Sequence, residues 1–205
     1  MSPEIRLKKN PLAIKRSLVE TLLTLAVVAI VIGGYLQSRT KDLQTFELKY
    51  TQLEATGQLL YADTKLDSTT FEKATVISIT DGDTIKIRRA DDTEADIRYI
   101  GIDTPEIKHQ EAGTDEPYGP QAAAFNSWLV LNKGVYIQKD TAETDKYGRL
   151  LRYVYLENGI MVNYALIRQG YATMLTVPPN VAFQQQLYSA QELARNEGLG
   201  LFKPE

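Results

Sequence analysis

Between Ala74 and Ile102 the chain alternates β-branched apolar runs with acidic turns, and no other stretch narrows the fold as much. Ala74–Ile79 reads as a strand, and Asp81-Gly82-Asp83 as a turn. Thr84–Arg89 then places Ile85 and Ile87 on one face and Lys86 and Arg88 on the other, the period of a half-buried strand. Asp91-Asp92 turns the chain again, and Glu94–Ile102 supplies a third strand. Three strands joined by loops this short form a continuous antiparallel meander.

The rest of the chain adds helices and two more strands. After a loop at Gly113–Gly119, Pro120 suits the first turn of a helix running to about Leu131, and Gly134 breaks it. Phe125 and Trp128 lie on that helix and are expected in the core. Val135–Lys139 and Arg149–Leu156 read as strands. Asn158-Gly159 turns into a short helix, Met161–Gln169, closed by Gly170. Asn180 can cap a last helix, Val181–Asn196, closed by Gly198. Strands in the order three then two, with three helices, predict an α+β domain over residues 72–205 built on a five-stranded OB-type β-barrel.

The N-terminal part is different in kind. Residues 1–17 are basic, with Arg6, Lys8, Lys9, Lys15 and Arg16. Thr21–Leu36 carries no charge; as a helix its length is about 24 Å, short of a bilayer core of about 30 Å. Extension back to Leu18 makes the length adequate. Residues 18–36 are therefore expected to be a transmembrane signal anchor, because neither Gly33-Gly34-Tyr35 nor Leu36-Gln37-Ser38 makes a good small-x-small cleavage site. Five basic residues before the span, against Arg39 and Lys41 after it, put the N-terminus in the cytoplasm and the domain on the extracytoplasmic side. Cleavage would instead release a secreted protein. Residues 37–71 read as a spacer: Leu43, Phe46, Tyr50, Leu53 and Leu60 follow the 3–4 spacing of an amphipathic helix, and Ala62–Thr70 is polar and turn-rich. With fewer than three heptads, this stretch hints at pairing without supporting an oligomer.

Composition limits the chemistry. There is no cysteine and one histidine, His109, so thiolate metal sites and sites of several imidazoles are excluded. A bound metal would be held by oxygen, which favours hard cations such as calcium or magnesium. Net charge is −3; residues 1–41 hold seven basic and two acidic residues, so the remainder stands at −8. An acidic body argues against a protein that coats nucleic acid electrostatically. It leaves room for an enzyme that grips phosphate locally.

Two turns carry candidate groups. Asp-Gly turns are common and mostly inert, and Ile102-Asp103-Thr104-Pro105-Glu106 alone is a stiff bend with two solvated carboxylates. Yet Asp83 follows the first strand, and Asp103 and Glu106 follow the third, so a compact meander can gather all three at one end. Like charges brought together need a cation or raised pKa values. With one histidine and no cysteine, calcium is the natural cation. Arg98 lies five residues before Asp103 on the third strand, and Arg149 begins a later strand after the bend at Gly148. The ordinary fate of either is a surface ion pair, but with a metal and a free carboxylate they suit phosphodiester hydrolysis. His109 has no evident partner and is read as an exposed loop residue.

The motifs Asp81-Gly82-Asp83-Thr84, Arg98 with Ile102-Asp103-Thr104-Pro105-Glu106, Tyr118-Gly119-Pro120, Thr144-Asp145-Lys146-Tyr147-Gly148-Arg149, Met161-Val162-Asn163 and Arg168-Gln169-Gly170 occur in an order and spacing that is specific as a set. Together they resemble the staphylococcal (micrococcal) nuclease family across nearly all of residues 72–202. The resemblance implies an OB-type barrel with three helices and one calcium ion, bound by Asp83, Asp103 and the backbone carbonyl of Thr104. It implies Glu106 as general base or water-positioning group, Arg98 and Arg149 as phosphate-binding arginines, and Lys146 and Tyr147 beside the nucleotide. The implied activity is cleavage of DNA and RNA to leave 3′-phosphate ends. Leu175-Thr176-Val177-Pro178-Pro179 departs from the family's prototype, which has tyrosines there lining the nucleotide pocket. The alternative within the same fold is a non-catalytic nucleic-acid- or protein-binding module, as in relatives that have lost the carboxylates.

Overall fold

The computed structural model describes residues 27–38, 40–48, 51, 69–107 and 115–204. Residues 27–38 and 40–48 are helical. No helix among the described residues is long and apolar enough to cross a membrane. The first half of the expected anchor, residues 18–26, lies outside the described residues, as do Tyr50, Leu53, Leu60 and His109.

Five strands close into a barrel: β1 (Glu72–Ile79), β2 (Thr84–Arg89), β3 (Glu94–Tyr99), β5 (Gly134–Gln138) and β6 (Leu150–Leu156), in the spatial order β1-β2-β3-β6-β5. The expected meander is present, antiparallel throughout, with a bulge in β1 between Val76 and Ser78. Ile85 and Ile87 are fully buried, while Lys86 and Arg88 pair across the strand with Asp96 and Glu94 at 2.9 and 3.0 Å. The alternation thus faces apolar groups inward and offsets charge on the outside. The barrel closes through a parallel pairing of β3 with β6, Ile97 opposite Leu150 and Arg98 opposite Leu151.

Among the described residues from 69 on, three α-helices accompany the barrel: α1 (Gly119–Val130), α2 (Val162–Arg168) and α3 (Gln184–Asn196). The fold is α+β, and its barrel and helix count agree with the sequence expectation. The helix α2 packs on β6 and α3 packs on α2. That cover explains why β6 is buried on successive residues from Arg152 to Leu156 instead of alternating. Phe125 is fully buried and stacks on Tyr171, centroids 4.6 Å apart. Trp128 is only half-buried; it stacks on Phe125 at 6.0 Å and borders a cavity of about 550 Å³ with Lys133 and Leu156.

Two expectations need correction. The third strand stops at Tyr99, because Gly101 takes a φ of 80° and turns the chain. Ile102–Asp103 forms a separate strand, β4, paired with β7 (Thr173–Met174). The last helix begins at Gln184, three residues later than expected, and Asn180 does not cap it. The Asn180 amide is instead bonded to both backbone groups of Ala142: its oxygen accepts from the N–H at 2.7 Å, and its nitrogen donates to the carbonyl at 3.3 Å.

Candidate active site

The turn at Gly101 decides the site. Arg98 and Asp103 cannot share a pleat face on one strand five residues apart. The bend between β3 and β4 brings Asp103 back over Arg98, and the guanidinium Nη2 donates to Asp103 Oδ1 at 2.7 Å. The other arm, Nη1, lies 2.8 Å from Asp83 Oδ2 and donates to the Ile102 carbonyl at 2.9 Å. One arginine thus spans the two carboxylates that the two turns supply.

Asp83 is 4% exposed and well satisfied. Its Oδ2 accepts from the Thr104 N–H at 3.0 Å and its Oδ1 from the Thr84 hydroxyl at 3.1 Å. Thr84 Oγ1 in turn lies 3.5 Å from Arg149 Nη1 as acceptor. A polar path therefore runs Arg149–Thr84–Asp83–Arg98–Asp103. Arg149 is aimed by Asp145: its Nε donates to Asp145 Oδ2 at 2.7 Å, while Asp145 Oδ1 accepts from the N–H groups of Tyr147 and Arg149 at 2.9 and 3.0 Å.

Negative charge is under-compensated here. Burial pushes the Asp83 carboxyl up to about 7, against the pull of Arg98 and with a further push from Asp81. Glu106, exposed at the end of the Pro105 bend, is also raised, first by partial desolvation and then by the charges of Asp81 and Asp103. Every donor is an oxygen, which fits a hard divalent cation. Among the described residues no three acidic or imidazole side chains converge to hold a metal unaided. A cation bound between Asp83 and Asp103 would therefore need backbone carbonyls and water to complete its shell.

A cleft of about 460 Å³ is bordered by Arg98, Arg149, Lys146, Tyr147, Leu175 and Val177. Tyr147 is 71% exposed, with Lys146 Nζ 4.9 Å and Arg149 Cζ 5.5 Å from its ring centroid. Of the eight residues singled out from the sequence, Arg98, Lys146, Tyr147 and Arg149 border the cleft. Asp83, Asp103 and Thr104 are joined to it through Arg98 and Asp83. Glu106 makes no side-chain bond to them and senses the charges of Asp103 and Arg98. Thr84, Asp145 and Asn180 also belong to this region. Thr84 and Asp145 stand inside the quoted motifs, so their positions were visible; only the fold shows which atoms they hold.

The family model "Staphylococcal nuclease homologue" matches residues 96–204. The thermonuclease of Staphylococcus hyicus is 36% identical over 120 residues, 58% of this chain and 69% of that protein. The thermonuclease of Staphylococcus intermedius is 34% identical over 132 residues, 64% of this chain and 77% of that protein. Endonuclease YncB of Bacillus subtilis (strain 168) is 30% identical over 165 residues, covering 80% of this chain and 74% of its own length.

Proposed function

Because the chain belongs to the staphylococcal nuclease family, we propose that it is a calcium-dependent nuclease that hydrolyses phosphodiester bonds of DNA, or of DNA and RNA, leaves 3′-phosphate ends, and is tethered to a membrane by residues 18–36. The relatives' names as thermonucleases and endonucleases support the nuclease part. The observation that carries the reading is the path Arg149–Thr84–Asp83–Arg98–Asp103, which gathers two guanidinium groups and two carboxylates on one rim beside a cleft.

Asp83, Asp103 and the Thr104 carbonyl would hold the calcium ion. When bound, calcium supplies a positive centre that polarises the phosphoryl oxygens and offsets the carboxylate charge. Glu106, a carboxylate of raised basicity, takes the proton of the attacking water. Arg98 and Arg149 place their forks against the phosphoryl oxygens where charge builds up. Of the two ion pairs of Arg98, that with Asp103 is the one open to water: the Asp103 side chain is 52% exposed and that of Asp83 is 5%. It is therefore the arm more readily released to a substrate. Tyr147 would offer a face to a base, and Lys146, which borders the same cleft, would meet a phosphate of its backbone. The wall at Leu175–Pro179 gives apolar contact without stacking, so base preference rests on Tyr147.

A plasmid-degradation assay tests the reading. Cleavage is expected with calcium and none with chelator. Glu106→Gln and Arg149→Ala should each slow cleavage by about 100-fold or more while melting is unchanged. No cleavage with calcium would remove the enzyme reading; full activity in both variants would move the site elsewhere. Fractionation of cells making the full chain tests the tether, since a shortened soluble product would mean the N-terminal segment is cut.

A further inference from the structure

Glu106 sits on an exposed bend, and exposed bends are poor platforms for a group that must be held to within a fraction of an ångström. Two contacts compensate. The Glu116 N–H donates to the Glu106 carbonyl at 3.0 Å, and the Glu106 N–H donates to the Glu116 carboxylate Oε2 at 3.2 Å. These reciprocal bonds have the logic of a capping box, in which a carboxylate reaches back to a backbone N–H while the backbone answers. Gly119, at the start of α1, adds the second contact. A Cβ there would lie 2.8 Å from the Glu106 carbonyl oxygen and 3.0 Å from that of Pro105, so the Pro105–Glu106 backbone rests directly on the helix end. Gly119 N–H also donates to the Glu116 carbonyl at 2.9 Å, joining the two contacts.

We infer that Glu116 is a positioning residue for Glu106: together with the bare backbone of Gly119 it fixes the bend that aims the Glu106 carboxylate, and it takes no part in binding substrate. This inference rests on the proposed nuclease activity. A Gln at position 116 keeps a carbonyl acceptor for the Glu106 N–H and loses the charge, so it separates geometry from electrostatics.

The test uses the full chain in detergent with calcium and a plasmid or oligonucleotide substrate. Glu116→Ala is expected to lower kcat about tenfold or more with KM within twofold of the parent, and Glu116→Gln to stay within about threefold of the parent kcat. Amide hydrogen exchange at Glu106 should quicken at least fivefold in Glu116→Ala and not in Glu116→Gln, a readout that needs no turnover. Gly119→Ala, which must displace the Pro105–Glu106 backbone, should lower kcat in the same way. Unchanged kcat in Glu116→Ala would overturn the inference, as would equal losses in the Ala and Gln variants or a rise in KM at constant kcat. A parent chain that fails to cleave would remove the nuclease reading and this inference with it; an active parent with an indifferent Glu116→Ala removes this inference alone.

Discussion

Replacing Asp83 by Asn should stabilise the metal-free protein while abolishing its activity. Asp83 is buried, and its carboxyl is pushed from 3.8 up to about 7. The sign follows from proton counting. Between about pH 4 and pH 7 the native chain holds one proton that the unfolded chain has released, so stability from this group falls as pH rises through that window. Below pH 4 both forms are protonated, above pH 7 both are ionised, and the slope vanishes at each end. At 1.36 kcal/mol for each tenfold change, the distance from 3.8 to about 7 corresponds to about 4 kcal/mol. Asn can keep the geometry: one oxygen remains for the Thr104 N–H and Arg98, and its amide can donate to the Thr84 hydroxyl. Relaxation around the ionised parent trims the gain, so about 2–4 kcal/mol is expected above pH 7. The assay is urea unfolding in chelator from pH 4 to 9, read by the single tryptophan, Trp128, which is half-buried against Phe125. The two chains should be equally stable near pH 4 and diverge by pH 7, with calcium erasing the difference by stabilising only the parent. Curves that stay parallel across the window, or a parent that gains on the variant as pH rises, would refute the reasoning.

Asp145→Ala removes the anchor of the Arg149 guanidinium and the acceptor of two loop amides, and should lower kcat by about 10–100-fold in steady-state cleavage; an unchanged kcat would show that Arg149 finds its place without it. Asn163 is fully buried, accepts from the Val154 N–H at 2.9 Å and donates to the Ile100 carbonyl at 2.9 Å. Asn163→Ala strands both partners and should cost about 2–4 kcal/mol in urea unfolding; a loss under 1 kcal/mol would mean that water replaces the amide. Tyr147→Ala should raise KM about tenfold with the melting temperature unchanged, and Tyr147→Phe should restore it, since a face and not a hydroxyl is used; equal defects in both would point to the hydroxyl instead.

Elements with their own periodicity were legible in the chain. Ile85 and Ile87 announce β2, and Gly170 and Gly198 mark helix ends. What was not legible depends on partners distant in sequence. β4 and β7 have two residues each and exist only because they face one another, so neither carries a pattern. Asn180 looks like a helix cap because Asn is a good one, yet Ala142, remote in sequence, competes for its amide and wins. The carboxylates and arginines could be selected by type and motif. The sharing of Arg98 between Asp83 and Asp103 could not, since it depends on the φ of Gly101.

The parallel seam between β3 and β6 also sets an order of events. A growing chain exposes Asp83, Arg98, Asp103 and Glu106 well before Arg149, whose place on the rim is created only when β6 docks on β3 and closes the barrel. A half-made chain therefore carries the other charges of the site without its second guanidinium. The full set of site charges is therefore a property of the closed barrel and of no shorter stretch of the chain.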